Sequence, residues 1–402
     1  MLTLLFGTAL SENGNTSPGL LPASSHYCKP LEDAIRQCFI PALTKWPAPG
    51  DLERELLALP TRLGGLGLVN PAAQSDDAYE ASVNITAPLA ALIVEQEGYL
   101  GDSASLQIAA RSATRRSRRV AQERDAAALF DRLGPLMQHS VELAKEKGAS
   151  SWLETLPLTE HEFALSKSAF GDATRLRYGW SMDRVPTKCV CSQPFSSEHA
   201  LSCPCGGFPS LRHNEVRDLL ATAMAEMCIS VATEPVLQPL DGKQFQRRST
   251  ITDDNAWVDI RANGFWGGRL ETAFFDDVQV FNALAASYRS TSLAACYRNH
   301  ESMKRNHYEE QTRRVEHGSF TPLVFSIFGD AGPLATVALK NLAARLAEKR
   351  ETPYSRTLNW LRTRLSFSLL RSALMALRGS RSSRCHSMKD ITPVLAIANA
   401  GV

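Results

Sequence analysis

Aspartate residues interrupt two short apolar runs within residues 256–282, on either side of a Gly-Phe-Trp-Gly-Gly turn. β-Branched and aromatic residues flank the turn, so the pattern predicts a β-hairpin or two neighbouring strands. Because side chains alternate along a strand, Asp259 and the pair Asp277 and Gln279 would point to one open side. Two converging carboxylates repel unless a cation lies between them, and hard oxygen ligands suit Mg²⁺ or Mn²⁺. The runs therefore predict a metal-dependent hydrolase site, with solvent-facing acids at strand ends as the alternative.

The segment from Phe274 to Asp277 also fits the aromatic-x-Asp-Asp box of polymerases. A polymerase palm needs a partner aspartate on a strand well upstream, with a substantial subdomain between the two. Asp259 stands only 18 positions before Asp277. We therefore exclude a polymerase site.

Three cysteines and a histidine form a second group, with the spacing C-x-C-x7-H-x3-C. Thiolates and imidazole are the ligands that Zn²⁺ prefers, and four of them within 15 residues allow a metal to fold a loop too small to bury a core. The predicted structural zinc ligands are Cys189, Cys191, His199 and Cys203. Cys205 is a substitute ligand in this scheme, and unliganded thiols are the alternative to a zinc site.

A helix predicted over about residues 210–228 carries Glu215 on its buried face, where a glutamate is either paired or functional. A strand predicted over residues 229–235 follows this helix. The order helix, strand, strand, strand, with Glu215, Asp259 and Asp277 on these elements, is the layout of a metal-dependent nuclease core.

Composition limits the class of protein. The 402 residues suffice for two or three domains, and 44% hydrophobic with 21% charged residues is ordinary for a globular protein. A net charge of +2 and nine cysteines indicate neither a strongly basic protein nor a small disulfide scaffold. We find no signal peptide and no apolar run of about 18 residues, so we predict no membrane span and an intracellular location, nuclear or cytoplasmic.

The N-terminal half is predicted to be helical apart from residues 1–30, which have a disordered composition. Residues 59–71 form a glycine-rich turn between helices and lack the pattern of a phosphate-cradling loop. Arginines crowd nine positions of a later helix: Arg111, Arg115, Arg116, Arg118 and Arg119. Their density suits phosphate contacts, whereas the acids that follow at Glu123 and Asp125 favour a solvated helix face.

The C-terminal part begins with a polar helix over residues 297–315, followed by an apolar strand over residues 320–328 that we assign to the core. Two amphipathic helices follow at residues 334–349 and 358–377. The apolar stripe of the last helix comprises Leu358, Leu361, Leu365, Leu369 and Leu370.

Taken in order, these motifs resemble the carboxy-terminal region of non-LTR retrotransposon polyproteins, whose endonuclease is restriction-enzyme-like and belongs to the PD-(D/E)xK superfamily. The resemblance covers roughly residues 31–380 and rests on the order of the motifs. The matching motifs are Leu59 to Leu68 (which follows the reverse transcriptase in that family), the Cys-Cys-His-Cys knuckle, Arg212-His213-Asn214-Glu215, Thr233-Glu234-Pro235, Val258-Asp259, Asp277-Val278-Gln279-Val280 and the helix from Lys304 to Tyr308.

The resemblance implies that Asp259 and Asp277 hold Mg²⁺, that Glu215 assists from its helix and that Lys304 supplies positive charge. Gln279 stands in the position where the family usually has lysine. The family nicks target DNA to expose a 3′ hydroxyl that primes reverse transcription, so DNA and the element RNA are the implied partners. The residues assigned to nucleic-acid contacts are Arg212, His213, Arg305 and Tyr308.

Four departures from the family pattern lower the expected activity, and Gln279 in place of the lysine is one of them. Val258 replaces the proline of the motif, and Arg305 stands where a second lysine is common. The pair Asp276 and Asp277 resembles a one-residue insertion, which could move the strand out of register.

The predicted fold is α+β, with a helical N-terminal half, a small zinc knuckle and a restriction-endonuclease-like α/β core with a mixed sheet and flanking helices. The predicted segments are 1–30 (disordered), 31–100 (thumb-like helical remnant after the reverse transcriptase), 101–187 (helical linker), 188–206 (CCHC zinc knuckle), 207–345 (endonuclease core), 346–380 (basic amphipathic helix) and 381–402 (loose tail). Because the reverse transcriptase of the family is not among these residues, we expect a fragment or decayed piece of such an element. The hypotheses are an endonuclease-like remnant, a non-catalytic zinc-containing nucleic-acid-binding module, and a product without a selected role.

Overall fold

A computed structural model describes residues 25–95, 103–159, 162–237, 257–268, 271–275 and 278–379. Over these residues the protein is mixed α+β, mainly helical with a small mixed sheet, which confirms the predicted class at that level. Several predictions fall outside the described residues, namely the disorder of residues 1–24, the placement of Asp277, the insertion at Asp276 and Asp277, and the loose tail at 381–402. The predicted disorder extends too far, because residues 25–30 already belong to a helix.

The chain divides into two compact units, one of residues 1–145 with 167–180 and one of residues 146–166 with 181–402. A π-helical stretch, Ile35–Phe39, joins the first two helices. The described helices are α1 (Ser25–Ala34), α2 (Ile40–Thr44), α3 (Asp51–Ala58), α4 (Pro71–Glu95), α5 (Ser103–Arg132), α6 (Pro135–Lys145), α7 (Ser151–Glu154), α8 (Lys167–Tyr178), α9 (Ser197–Ser202), α10 (Phe208–Ala225), α11 (Leu293–Arg314), α12 (Pro333–Lys349) and α13 (Tyr354–Arg378).

In the first unit, the glycine-rich segment forms a turn between α3 and α4, as predicted. Gly65 packs so closely that a Cβ there would lie 2.0 Å from the Leu59 carbonyl oxygen, so only glycine fits. The buried Tyr178 hydroxyl of α8 donates a hydrogen bond to the Gly64 carbonyl at 3.0 Å. The segment is therefore a structural turn that is anchored to α8.

The second unit contains all the described strands. They are β1 (Ser230–Thr233), β2 (Ile260–Asn263), β3 (Thr272–Phe275), β4 (Gln279–Phe281), β5 (Ser319–Phe320) and β6 (Val324–Ser326). One sheet has the order β1-β2-β3-β5, in which β1, β2 and β3 are antiparallel neighbours and β5 is parallel to β3. The second sheet pairs β4 with β6 in parallel.

The predicted hairpin exists as β2 and β3, where Ile260 lies opposite Phe275. The second apolar run does not continue as one strand, however. It contributes β3 to one sheet and β4, from Gln279, to the other, because β4 pairs with β6 rather than with β2. The simple alternation that placed Asp277 and Gln279 on the face of Asp259 therefore does not carry across this break.

A single apolar cluster joins α10, α12 and α13 to the strands. Val216 and Leu220 of α10 are fully buried with Ile260 and Phe275 of the hairpin, and burial of this kind is the main stabilising term for such a unit. The five leucines predicted as the stripe of the last helix are all buried in α13. The apolar run at residues 320–328 is in the core, as predicted, although it forms two short strands.

None of the helices in the described ranges is both long and apolar enough to cross a lipid bilayer.

Candidate functional site

The four predicted zinc ligands come together in the second unit. The sulfurs of Cys189, Cys191 and Cys203 and a ring nitrogen of His199 all lie within 4.8 Å of one another. The Cys189 and Cys203 sulfurs are 3.8 Å apart, and the Cys191 sulfur is 3.2 Å from His199 Nε2. Cys205 does not belong to the group. We call these four residues the Cys3His cluster, and it could hold a metal ion.

The distances in the cluster suit a tetrahedral ion. With Zn–S bonds of about 2.3 Å and Zn–N bonds of about 2.0 Å, two sulfurs lie about 3.8 Å apart and a sulfur and a nitrogen about 3.5 Å apart. The observed separations are 3.8 Å and 3.2 Å. Three sulfurs and one imidazole also suit zinc better than magnesium or calcium, which take oxygen ligands. The cluster is therefore compatible with zinc.

Local hydrogen bonds bring the ligands together. The Cys189 N–H donates to the Gln193 carbonyl at 2.9 Å, which closes a tight turn around the first ligand pair. The Ser196 hydroxyl accepts from the His199 N–H at 3.1 Å and caps α9. The Cys203 N–H donates to the His199 carbonyl at 2.8 Å, so the last ligand follows directly from the end of this short helix.

The two buried thiols differ in acidity. Burial opposes ionisation of Cys189, but hydrogen bonds from the Cys191 backbone N–H and the His199 side chain outweigh burial and lower the pKa of Cys189 to about 6. Burial, reinforced by the neighbouring Cys189 sulfur, raises the pKa of Cys203 to about 12. Metals bind thiolates, so one ligand is ionised near neutral pH and a bound cation would favour ionisation of the second.

Buried polar side chains tie the Cys3His cluster to the sheet. Arg212 of α10 is 5% exposed and donates to the Leu201 carbonyl at 3.3 Å and the Val280 carbonyl at 3.1 Å. Asn282, just after β4, donates to the Glu198 carbonyl at 3.0 Å. Burial lowers the pKa of Arg212 to about 10. This placement corrects the predicted nucleic-acid contact of Arg212, because its face of α10 packs against α9 and β4.

Asp259 lies in a bend immediately before β2 and is only 8% exposed. Its Oδ1 atom is 2.9 Å from Nε2 of His213 on α10, and its Oδ2 atom accepts a hydrogen bond from the Val278 N–H. The Asp259 carbonyl accepts from the N–H of Glu234, a residue with a positive φ of 50°. The Asp259 carboxylate is thus held by groups from α10 and from the residue preceding β4.

His213 connects the same two elements. Its Nδ1 atom is 3.1 Å from the Val278 carbonyl oxygen, while its Nε2 atom faces Asp259. Both ring nitrogens therefore face oxygen atoms. His213, predicted to contact nucleic acid, therefore has its ring against the Asp259 carboxylate and the Val278 carbonyl.

Gln279 begins β4, one residue after Val278. Its backbone N–H donates to the Leu323 carbonyl at 2.9 Å. Its side-chain oxygen is buried and has no hydrogen-bond partner among the described residues. A buried amide oxygen without a donor is costly, and a hard cation is one group that would satisfy it.

Glu215 lies on the other side of α10. Positions two residues apart are about 200° apart around an α-helix, so Glu215 points away from His213. Its carboxylate accepts from the Ser372 hydroxyl at 2.8 Å and lines a cavity of about 530 Å³ together with side chains of α13. Burial raises the pKa of Glu215 although Ser372 and Arg371 oppose this shift. The structure therefore does not bring Glu215 to Asp259, contrary to the predicted catalytic arrangement.

Lys304 and Tyr308 stand one turn apart on α11, so their side chains leave the same face of the helix. Tyr308 packs on the buried cluster that contains Val258, the residue before Asp259. Lys304 is partly buried on this face. The face of α11 that carries both residues therefore adjoins the segment leading to Asp259, and Tyr308 is part of an apolar contact there.

Arg305 occupies the outer side of α11. Its guanidinium forms an exposed ion pair with Glu309 at 2.9 Å, and this pairing raises the pKa of Arg305. The pair is an ordinary i,i+4 contact, and a phosphate would have to compete with Glu309 for the guanidinium.

No protein-family model matches this chain, and no curated protein shows significant similarity to it.

Sequence reasoning missed the groups that hold Asp259 and the Cys3His cluster. A backbone N–H such as that of Val278 carries no sequence signal. The adjacency of Arg212 and His213 showed only that their side chains leave the helix about 100° apart, which is compatible with one external surface. Asn282 gave no signal before its contact with α9 was visible.

Proposed function

We propose that this chain derives from the carboxy-terminal region of a non-LTR retrotransposon polyprotein and that its second unit is a restriction-like, Mg²⁺- or Mn²⁺-dependent DNA endonuclease. Nicking of target DNA would expose the 3′ hydroxyl for target-primed reverse transcription. The observation that carries the proposal is the buried Asp259 carboxylate, which is held between His213 and the Val278 N–H. A buried structural acid would be hydrogen-bonded as well, so a cleavage assay is needed to separate the two roles.

The available donor atoms support a divalent cation beside Asp259. Each carboxylate oxygen has one hydrogen bond to a described residue and keeps acceptor capacity for a metal. The Gln279 side chain on β4 carries a buried neutral hard donor without a partner among the described residues, and its assignment to the same cation is part of the proposal. Asp277, which directly precedes Val278 in the sequence, is the second carboxylate in this proposal and lies outside the described residues.

In this mechanism a bound Mg²⁺ would supply an activated water and neutralise phosphate charge. His213 fixes the orientation of Asp259, and Asp259 would supply carboxylate oxygens to the cation. Lys304 on α11 would stabilise the charge that develops on the phosphate. Glu215 takes no part, because its side of α10 faces α13.

The Cys3His cluster supports a structural zinc knuckle in the same proposal. Arg212 connects its carbonyl groups to β4, the strand that follows Val278. A zinc ion at the cluster would therefore stabilise the position of α10 relative to β4, and with it the Asp259 site.

The alternative is a non-catalytic, zinc-containing nucleic-acid-binding module. The uncharged Gln279 favours it, since an amide in the position of the family's lysine cannot supply positive charge to a phosphate. Binding of DNA or RNA without cleavage is the signature of this alternative.

Nicking of supercoiled plasmid in the presence of Mg²⁺ or Mn²⁺ tests the proposal. We expect nicking by the full chain, its loss with EDTA, and a fall on the order of 100-fold or more in Asp259→Asn, which removes the charge but keeps the shape of the side chain. Glu215→Gln is the matched control, because it makes the same kind of change on the opposite side of α10.

Nicking that persists in Asp259→Asn, or that is lost equally in Glu215→Gln, would contradict the assigned site. Binding of labelled DNA by both the wild type and Asp259→Asn, with no cleavage by either, would favour the binding module. Thermal unfolding of each variant separates loss of chemistry from loss of folding.

A further inference from the structure

The first two thirds of α5 carry a concentrated positive charge. Residues 103–122 contain five arginines and no acidic residue. Four of these arginines are exposed and have no carboxylate partner among the described residues: Arg111, Arg115, Arg116 and Arg118. The fifth, Arg119, pairs with Glu123 at 3.0 Å.

The last third of α5 has no excess of positive charge. Three arginines of the first unit pair with carboxylates on or beside this part of the helix: Arg62 with Glu123 at 3.1 Å, Arg124 with Asp125 at 2.9 Å and Arg132 with Glu55 at 2.8 Å. The neighbouring helix α4, which packs against α5, has no charged residue from position 81 to 94. Apart from Arg119, the arginines in the first two thirds of α5 are therefore not compensated by their own helix or by this part of α4.

Three of the unpaired arginines form a line. At 100° per residue, Arg115 and Arg118 lie within about 40° of Arg111 around the helix. They span about 10 Å along the axis, which corresponds to roughly three phosphates of one duplex strand at 3.4 Å each. We call Arg111, Arg115 and Arg118 the arginine stripe.

We propose that the arginine stripe is a binding surface for the sugar-phosphate backbone of a nucleic acid, separate from the Asp259 site in the second unit. Guanidinium groups bind phosphates through paired N–H donors, and exposed groups without carboxylate partners need not break an ion pair to do so. The arginine stripe would recognise the charge and spacing of phosphates, and we assign it no base-specific contact. It adds affinity for nucleic acid whether or not the second unit cleaves DNA.

The distribution of apolar side chains argues against an anionic membrane as the partner. Leu106, Ile108 and Val120 are 41%, 64% and 66% exposed. Around the helix they lie at about 220°, 60° and 180° from Arg111, with Arg116 at about 140° between the last two. A membrane-surface helix keeps its apolar residues on one continuous face.

Fluorescence anisotropy with the full chain in EDTA tests the stripe without cleavage. The probes are a labelled 20-base-pair DNA duplex, the corresponding single strand and an RNA hairpin. We expect Arg111→Gln/Arg115→Gln/Arg118→Gln to weaken binding of at least one probe on the order of 100-fold at about 0.1 M salt. The slope of log K against log [salt] should become shallower by about 3 for duplex DNA, since each phosphate contact contributes about 0.9.

The matched control is Arg62→Gln/Arg124→Gln/Arg132→Gln, which removes the same charge from arginines that already have carboxylate partners. It should keep most of the affinity and the wild-type salt slope. Equal losses of affinity in both triple variants would show that binding depends only on net charge, which would overturn the proposal. An unchanged affinity in the stripe variant would also overturn it. Binding of phosphatidylserine vesicles that depends on the stripe, without nucleic-acid binding, would overturn the choice of partner. If the wild type nicks plasmid, the stripe variant should also nick it at saturating DNA. Loss of binding in the stripe variant and loss of cleavage in Asp259→Asn therefore test the two proposals separately.

Discussion

Replacement of Cys203 by serine tests the metal centre most directly. Cys203 supplies one of the four atoms that lie within 4.8 Å of one another, and a serine hydroxyl is a poor substitute for a thiolate ligand of zinc. We expect the purified wild type to retain one zinc ion per chain and Cys203→Ser to lose it.

The size of the effect follows from linkage. A ligand that binds only the folded state stabilises it by about 4 kcal/mol when its free concentration is 1,000 times Kd. In a unit of this size 1 kcal/mol shifts the melting temperature by about 2–4 °C. Cys189 and Cys203 are 5% and 4% exposed, so loss of the metal leaves two buried ligand atoms without a bound ion. We therefore expect Cys203→Ser, or a chelator, to lower the melting temperature by about 8–16 °C.

The assay combines metal analysis by mass spectrometry after gel filtration with thermal unfolding in the presence and absence of chelator. Cys205→Ser is the control, because Cys205 lies two residues away in the same loop but outside the Cys3His cluster. Equal loss of zinc in both variants, or a wild type that melts at the same temperature with and without chelator and contains no zinc, would refute the assignment.

Three further changes probe the packing around the site. Glu301→Ala should lower the free energy of unfolding by about 1–3 kcal/mol, because it removes the buried oxygen that accepts a hydrogen bond from the Leu334 N–H, 2.8 Å away at the start of α12. Urea unfolding measures this free energy, and Glu301→Gln should lower it less. Because burial raises the pKa of Glu215 in the folded state, its contribution to stability is present below the ordinary carboxyl pKa and is lost as pH rises through the raised value. The stability of Glu215→Gln relative to wild type should therefore increase as pH rises from the ordinary carboxyl pKa to the raised value, and a pH-independent difference would contradict this. Arg212→Lys should cost about 1–3 kcal/mol, because one ammonium group cannot span the two carbonyls that the guanidinium joins; a wild-type unfolding midpoint would show that the bridge does not stabilise the unit.

The elements with local signals were predictable from the sequence. The Cys3His ligands fall within 15 residues, so a short turn and a capped helix suffice to bring them together, and no distant segment has to be placed. The leucine stripe of α13 was equally clear, because helical periodicity and burial depend on neighbouring turns of the same helix.

The tertiary structure alone decided the surroundings of Asp259. Its partners stand 46 and 19 positions away, and one of them is a backbone N–H that every residue except proline possesses. Likewise, nothing in the run after the hairpin turn indicates that Phe275 ends a strand in one sheet while Gln279 begins a strand in the other. Packing between segments remote in sequence decides which strands pair and which helix faces are buried. The sequence therefore identified the types of the candidate residues, whereas only the fold shows which of them lie together.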